Sequence, residues 1–138
     1  MGMEVSDNLD RMIVLDYLIG NTDRHFRNFG LIRDADSLEW IGSSPLFDCG
    51  ASLGYNVLTE NLSSYRPTPC KPFRDSFHDQ LMLVKDMSWI DPYALDDALS
   101  VARKTLDEIW DDTMDERKRL MMDLLRRNSD RLKRISRA

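Results

Sequence analysis

The 138-residue sequence lacks the features that mark several large classes of protein. It contains two cysteines, Cys49 and Cys70, which form no C-x-x-C pair, so neither a disulfide framework nor a zinc site is indicated. It contains no run of about eighteen apolar residues, the length that a membrane-spanning helix needs. Its first residues lack a basic stretch followed by an apolar one, so no secretory signal is visible. These absences predict a protein of the reducing cytoplasm with no membrane partner.

The composition predicts one compact domain over residues 1–138, because 42% of the residues are hydrophobic in a chain of this length. Charge is unevenly distributed. Residues 117–138 contain nine Lys or Arg and two Asp, although the whole chain has a net charge of −5. A basic segment can bind nucleic acid, but no aromatic residue lies among these arginines. We therefore expect no direct contact with nucleic acid.

The hydrophobic pattern predicts an α+β fold that is predominantly helical. A first helix is predicted from Ser6 or Asp7 to Gly20-Asn21, where glycine can take the left-handed conformation that ends helices. A polar loop follows, and two apolar segments around residues 34–37 then predict a β-hairpin. The chain from Gly50 to Pro72 has few apolar anchors and is predicted to be irregular.

In the second half of the sequence, apolar residues recur at helical spacing and predict further helices. One contains Phe73, Phe77, Leu81 and Val84, the next begins at Asp91-Pro92, and the last begins at about Asp115. The three tryptophans, Trp40, Trp89 and Trp110, lie in apolar patterns and are predicted to pack either in the core or at a lobe interface. The predicted buried face is Leu95, Ala98, Leu99, Ala102, Leu106 and Ile109 in the second of these helices, and Met121, Leu124, Leu125, Asn128, Leu132 and Ile135 in the last.

Two loops contain oxygen-bearing side chains at a spacing that suits phosphoryl transfer. Asp23 and Asn28 are five residues apart in the loop after the first helix, and Asp48 follows the hairpin in an Asp-x-Gly setting. A carboxylate can accept the proton of an attacking hydroxyl, while an amide oxygen and a second carboxylate suit Mg²⁺. Each piece alone is more often a turn or a cap. The order of helix, loop, hairpin and second loop makes the combination informative.

The residues Ile19 to His25, together with Asn28-Phe29 and the segment from Pro45 to Asp48, resemble those of HipA-like serine/threonine kinases, which are related to the phosphatidylinositol-kinase-like group. The resemblance is specific over about residues 16–54. It implies the C-terminal catalytic lobe of a kinase, in which the hairpin carries the catalytic and metal-binding loops.

The resemblance also implies a role for each site residue. Asp23 would be the catalytic proton acceptor, and Asn28 and Asp48 would bind Mg²⁺. The ATP site would be lined by His25, Asn28, Phe47, Asp48 and Gly50. Members of this family phosphorylate protein serine or threonine, and several are bacterial toxins paired with a DNA-binding antitoxin. From the residues alone, His25 is more readily interpreted as a structural member of its loop than as a base.

The sequence departs from a complete kinase in one respect. No segment reads as a glycine-rich phosphate-binding loop, and only twenty-two residues precede Asp23. We therefore expect the chain to be half of a kinase without its nucleotide-clamping N-lobe, through truncation of a gene, expression of a fragment or natural association with a separate partner lobe. Two alternatives remain open at this point: a kinase-like module that binds or regulates without catalysis, and a small helical protein unrelated to kinases.

Overall fold

The computed structural model describes residues 2–69, 73–109 and 111–137. The chain forms an α+β fold in which helices account for about half of the residues, and its two strands form one antiparallel hairpin, as the sequence predicted. The elements are α1 (Gly2–Ile19), β1 (Leu31–Arg33), β2 (Trp40–Ser43), α2 (Thr59–Leu62), α3 (Phe77–Leu81), α4 (Pro92–Ile109), a 3₁₀ turn (Asp112–Met114) and α5 (Asp115–Ile135).

The fold consists of two compact units. Unit 1 contains the residues up to Ser52 together with those from Thr68 to Val84, and unit 2 contains Leu53–Pro67 and the residues from Lys85 onward. The expectation of a single domain over residues 1–138 remains a prediction.

Unit 1 is built on α1, which packs against β2 and α3. Its buried face consists of Met12, Ile13, Val14, Tyr17 and Leu18. The helix ends at Gly20, whose φ of 62° is the left-handed conformation that glycine adopts without steric cost. It begins at Gly2, so the prediction of a cap at Ser6 or Asp7 was wrong. Both side chains are exposed, and polar residues on the exposed face of a helix do not interrupt it.

The hairpin is closed by the side chain of Asp34, which accepts hydrogen bonds from the backbone N–H of Ser37 at 2.7 Å and of Asp36 at 3.0 Å. These bonds stabilise the carboxylate and hold the pKa of Asp34 below its ordinary value. Trp40 is not packed in the core, so of its two predicted placements the lobe interface stays a prediction. Its side chain is 48% exposed and stacks with the guanidinium of Arg33, 5.3 Å from the ring centroid.

Unit 2 is formed mainly by α4 and α5, which pack against each other, while the short α2 packs on α5. The predicted face of α5 is largely correct, but that of α4 is narrower than predicted: Ala98 is exposed and Ile109 is 66% exposed. Trp89 is also exposed and therefore outside the core, and Trp110 lies outside the described residues. The buried apolar side chains of the two long helices are Leu95, Leu106, Leu120, Met121, Met122, Leu124, Leu125 and Leu132.

The segment between the hairpin and α3 is mostly irregular, as predicted, except for α2. Arg117 of α5 fixes its first part by donating hydrogen bonds to the backbone carbonyls of Val57 at 2.8 Å and Gly54 at 2.9 Å. The helix α3 is shorter than predicted and begins after Ser76, whose hydroxyl accepts a hydrogen bond from the N–H of Asp79. In the part of the chain that the structure describes, no helix combines the length and the apolar character that crossing a membrane requires.

Ser129 provides a test of the packing in unit 2. Its hydroxyl is completely buried in α5 and has no hydrogen-bond partner among the described residues. Replacing Ser129 by Ala removes this unsatisfied group and should raise the free energy of unfolding by about 1–2 kcal/mol, measured by urea denaturation. The exposed Ser100→Ala in α4 controls for helix propensity, which contributes about 0.5 kcal/mol. Equal effects of the two replacements would show that burial of the hydroxyl is not costly.

Candidate functional site

The loop after α1 is held by Asp16, a buried carboxylate in the last turns of the helix. Asn21, also buried, donates a hydrogen bond from Nδ2 to Oδ1 of Asp16 at 2.9 Å. Its own Oδ1 accepts a hydrogen bond from the backbone N–H of Asp23 at 3.1 Å. Asp16 therefore fixes, through Asn21, the backbone from which the side chain of Asp23 extends.

Arg24 connects this loop with the second loop, which follows the hairpin. Its guanidinium is 2% exposed and forms a bidentate ion pair with Asp16, with Nε–Oδ2 and Nη2–Oδ1 distances of 2.8 and 2.9 Å. Nη1 donates to the carbonyls of Asn28 at 2.9 Å and Phe47 at 2.7 Å, and Nη2 lies 3.1 Å from Sγ of Cys49. The hydrogen bond to Asp16 raises the pKa of Arg24 despite burial, so this cation stays charged.

The two loops meet at Asn28 and Asp48. Nδ2 of the buried Asn28 donates to Oδ2 of Asp48 at 2.8 Å and to the backbone carbonyl of Asp23 at 3.3 Å. The structure therefore brings together two of the three predicted oxygen-bearing side chains and the backbone of the third. The side chains of Asp23 and Asp48 are both exposed, so both carboxylates are accessible from solvent.

Asp48 has a backbone φ of 54°, in the left-handed region that L-residues other than Asn and Asp rarely adopt. Such conformations cost free energy and concentrate at functional sites. Here the conformation coincides with the contact between Asp48 and Asn28.

The other predicted nucleotide-site residues lie in the same two loops. His25 is half-buried; its Nδ1 accepts a hydrogen bond from the N–H of Arg27 at 3.3 Å, and its carbonyl accepts one from the N–H of Asn28 at 2.9 Å. These contacts agree with a structural role in the loop. Phe47 is 46% exposed, and Gly50 is exposed, with no atom within 4 Å of the position that an added Cβ would take.

Sequence reasoning assigned no role to Asp16, Asn21 or Arg24. The signal that could have identified Asp16 is its position in α1, where Met12, Ile13 and Tyr17 mark the apolar face. A carboxylate on a buried helix face is rarely tolerated without a cationic partner, so the position of Asp16 indicates that a partner exists, and the structure shows that it is Arg24.

The donor set fits a magnesium ion better than a transition metal. Across the described ranges, His, Cys, Asp and Glu form no cluster of three or more suited to a metal. Asn28 and Asp48 supply one amide and one carboxylate, and Mg²⁺ typically binds one or two carboxylates while water and phosphate complete its shell. Nδ2 of Asn28 faces Asp48, so the amide must turn by half a rotation about its terminal bond to present Oδ1 to a cation.

Comparison with known proteins gives one local similarity. Serine/threonine-protein kinase CtkA of Helicobacter pylori strain J99 is 48% identical to this chain over 42 residues, which are 30% of this chain and 13% of that kinase. The match therefore covers only a small part of the relative's length. No protein-family model matches the chain, and no solved structure matches it. The similarity is to a serine/threonine kinase and does not distinguish the HipA-like family from others.

Removing one partner of the buried ion pair should strongly destabilise unit 1. Asp16→Ala or Arg24→Met alone leaves one buried charge unpaired, and each should lower the free energy of unfolding by about 3–5 kcal/mol in urea denaturation. The double variant should lose clearly less than the sum of the two single losses. Glu108→Ala removes the exposed pair with Lys104 and should cost less than about 0.5 kcal/mol. If Asp16→Ala and Arg24→Met each lowered the free energy of unfolding by no more than Glu108→Ala does, the two charges would not form a buried ion pair in solution.

Proposed function

We propose that this chain carries the catalytic and metal-binding loops of a protein serine/threonine kinase of the HipA-like type. The observation that carries the proposal is the 2.8 Å contact between Asn28 and Asp48, formed beside the loop that also contains Asp23. The local similarity to a serine/threonine kinase supports the kinase part of this proposal.

In the proposed reaction, Asp23 accepts the proton of an acceptor serine or threonine hydroxyl as the oxygen attacks the γ-phosphate of ATP. Its exposed side chain is accessible to a protein acceptor. Its backbone N–H is held by Oδ1 of Asn21, which limits the directions in which the carboxylate can point. The side chain can therefore orient the hydroxyl as well as accept its proton.

We propose that Mg²⁺ is held by Oδ1 of Asn28 and by the carboxylate of Asp48, with ATP as the phosphoryl donor. When bound, the ion neutralises negative charge on the phosphates. Arg24 contributes at a distance from the ligands. Because one guanidinium holds the carbonyls of Asn28 and Phe47, the two metal-binding loops keep a fixed separation before any ligand arrives.

The complete enzyme, in this proposal, also contains a lobe that covers the nucleotide. One side of the ATP site is lined by His25, Phe47 and Gly50 of this chain, and the opposite side is lined by that lobe. A DNA-binding antitoxin is a further proposed partner, because the HipA-like resemblance implies one.

Replacing Asp23 by Asn tests the proposed proton acceptor. The amide keeps the size of the side chain but is a far weaker base, so transfer of phosphate from Mg-ATP to a protein acceptor should fall by about 10²-fold or more in the complete enzyme. Circular dichroism should be unchanged, since the carboxylate is exposed. The matched control is Asp36→Asn, an exposed aspartate of the hairpin turn, which should retain full activity. Undiminished transfer in the Asp23 variant would remove the assigned base.

A magnesium titration of this chain tests the metal site without requiring turnover. Mg²⁺ should shift the side-chain NH₂ resonances of Asn28 in a ¹H–¹⁵N spectrum, because the amide must exchange its hydrogen bond to Asp48 for a bond between Oδ1 and the ion. Asp48→Asn should abolish the shift, whereas Asp36→Asn should leave it intact. Binding without phosphoryl transfer in the complete enzyme would instead favour the non-catalytic module.

A further inference from the structure

Unit 2 contains a pair of arginines to which no role has been assigned above. Arg66 follows α2, and Arg127 lies on α5, on which α2 packs. Nη1 of each arginine lies 3.5 Å from the backbone carbonyl of Ser63, the residue that ends α2. Two guanidinium groups from different parts of the sequence thus contact the same backbone carbonyl oxygen, that of Ser63.

Arg66 and Arg127 differ in their hydrogen-bond partners from two other arginines of α5. Arg119 and Arg126 both pair with the carboxylate of Asp123, at 3.9 and 3.0 Å. Within the described part of the chain, Arg66 and Arg127 have backbone carbonyls as partners and no carboxylate. A carbonyl oxygen is a neutral acceptor and a weaker partner for a guanidinium than an anion is. The pair therefore retains the capacity to bind an anionic group.

The serine between them is accessible and held in position. Ser63 is exposed, while the neighbouring Leu62 is 1% exposed and anchors α2 in unit 2. The Ser64 hydroxyl, by contrast, donates a hydrogen bond to the carbonyl of Asn61 at 3.1 Å. Arg117 fixes the other end of the same segment at Gly54 and Val57. Ser63 thus lies on a segment that α5 contacts at two places, through Arg117 at Gly54 and Val57 and through Arg127 at Ser63 itself.

We propose that Ser63 is a phosphorylation site whose phosphate is bound by Arg66 and Arg127, and that this modification joins the segment Leu53–Pro67 more firmly to α5. In the modification, a serine kinase forms a bond between Oγ of Ser63 and the γ-phosphorus of a nucleoside triphosphate. The bond from that phosphorus to the β-γ bridging oxygen breaks, the diphosphate leaves, and the hydroxyl proton passes to the base of that kinase. The proposal does not depend on this chain being the catalyst.

The expected effect follows from the charges around the phosphate. A phosphoserine carries a charge of about −1.5 to −2 near neutral pH and three acceptor oxygens, which match the donor fork of arginine. Glu60, three residues earlier on α2, opposes the phosphate by repulsion, but it is one exposed carboxylate against two guanidiniums. The phosphate should therefore join α2 to α5 more firmly than the present contacts to a neutral carbonyl do.

Site-specific incorporation of phosphoserine into the whole chain tests the proposal without identifying the modifying kinase. With phosphoserine at position 63, hydrogen–deuterium exchange of the peptides covering 53–67 should slow by about tenfold. The same modification in an Arg66→Gln, Arg127→Gln background should give no slowing. Unmodified protein carrying the two substitutions controls for their own effect, and circular dichroism establishes that each variant is folded.

Phosphoserine at position 64 serves as the matched control for position, and a ³¹P titration adds a readout that general stability would not change. Pairing with two cations favours the dianion, so the second pKa of the phosphate at 63 should lie at least about 0.5 unit below that at 64. The Arg66→Gln, Arg127→Gln background should remove the difference. Exchange that is unaffected by phosphate at 63, or protection that persists without the arginines, would overturn the proposal. Equal protection and equal pKa values at 63 and 64 would overturn the assignment to Ser63.

Discussion

The candidate site depends on one buried ion pair. Asp16 and Arg24 are both almost completely removed from solvent, and a buried charge is tolerated only when its partner and the remaining donors are satisfied. The guanidinium of Arg24 donates hydrogen bonds to a carboxylate, two backbone carbonyls and a sulfur atom. Such a pair contributes little net stability compared with apolar residues of the same size. Its value here is geometric, because it specifies one arrangement of the two loops.

This arrangement explains how exposed functional side chains can be well positioned. Asp23 and Asp48 face solvent, where a side chain alone would be free to move. Asn21 holds the backbone N–H of Asp23, and Arg24 holds the carbonyl of Phe47, the residue before Asp48. The buried Asn28 joins the two loops. Buried polar groups that hold exposed ones are a common way to prepare a site before its ligand binds. In these two loops, the buried polar network therefore fixes the backbone, as packing of apolar side chains does in the helices.

The sequence predicted the parts of the structure that depend on local patterns. The hairpin follows from the turn residues around Asp34, and α5 follows from apolar residues at helical spacing. The exposure of Trp40, Trp89 and Ile109 could not be read from the sequence, because an apolar residue in an apolar pattern is buried only if another element covers it. For the same reason, Asp23, Asn28 and Asp48 could be selected by type and spacing, whereas the partner of Asp16 could be found only in three dimensions.

The left-handed backbone at Asp48 narrows the residues that evolution or design can place there. Glycine and asparagine accept this conformation readily, but neither has a negative charge. Glutamate has the charge, but it adopts the conformation less readily than aspartate and carries its carboxylate farther from the backbone. A library selected only for folding should therefore drift toward glycine or asparagine at this position. Persistence of aspartate under that selection would mean that the charge itself supports the fold.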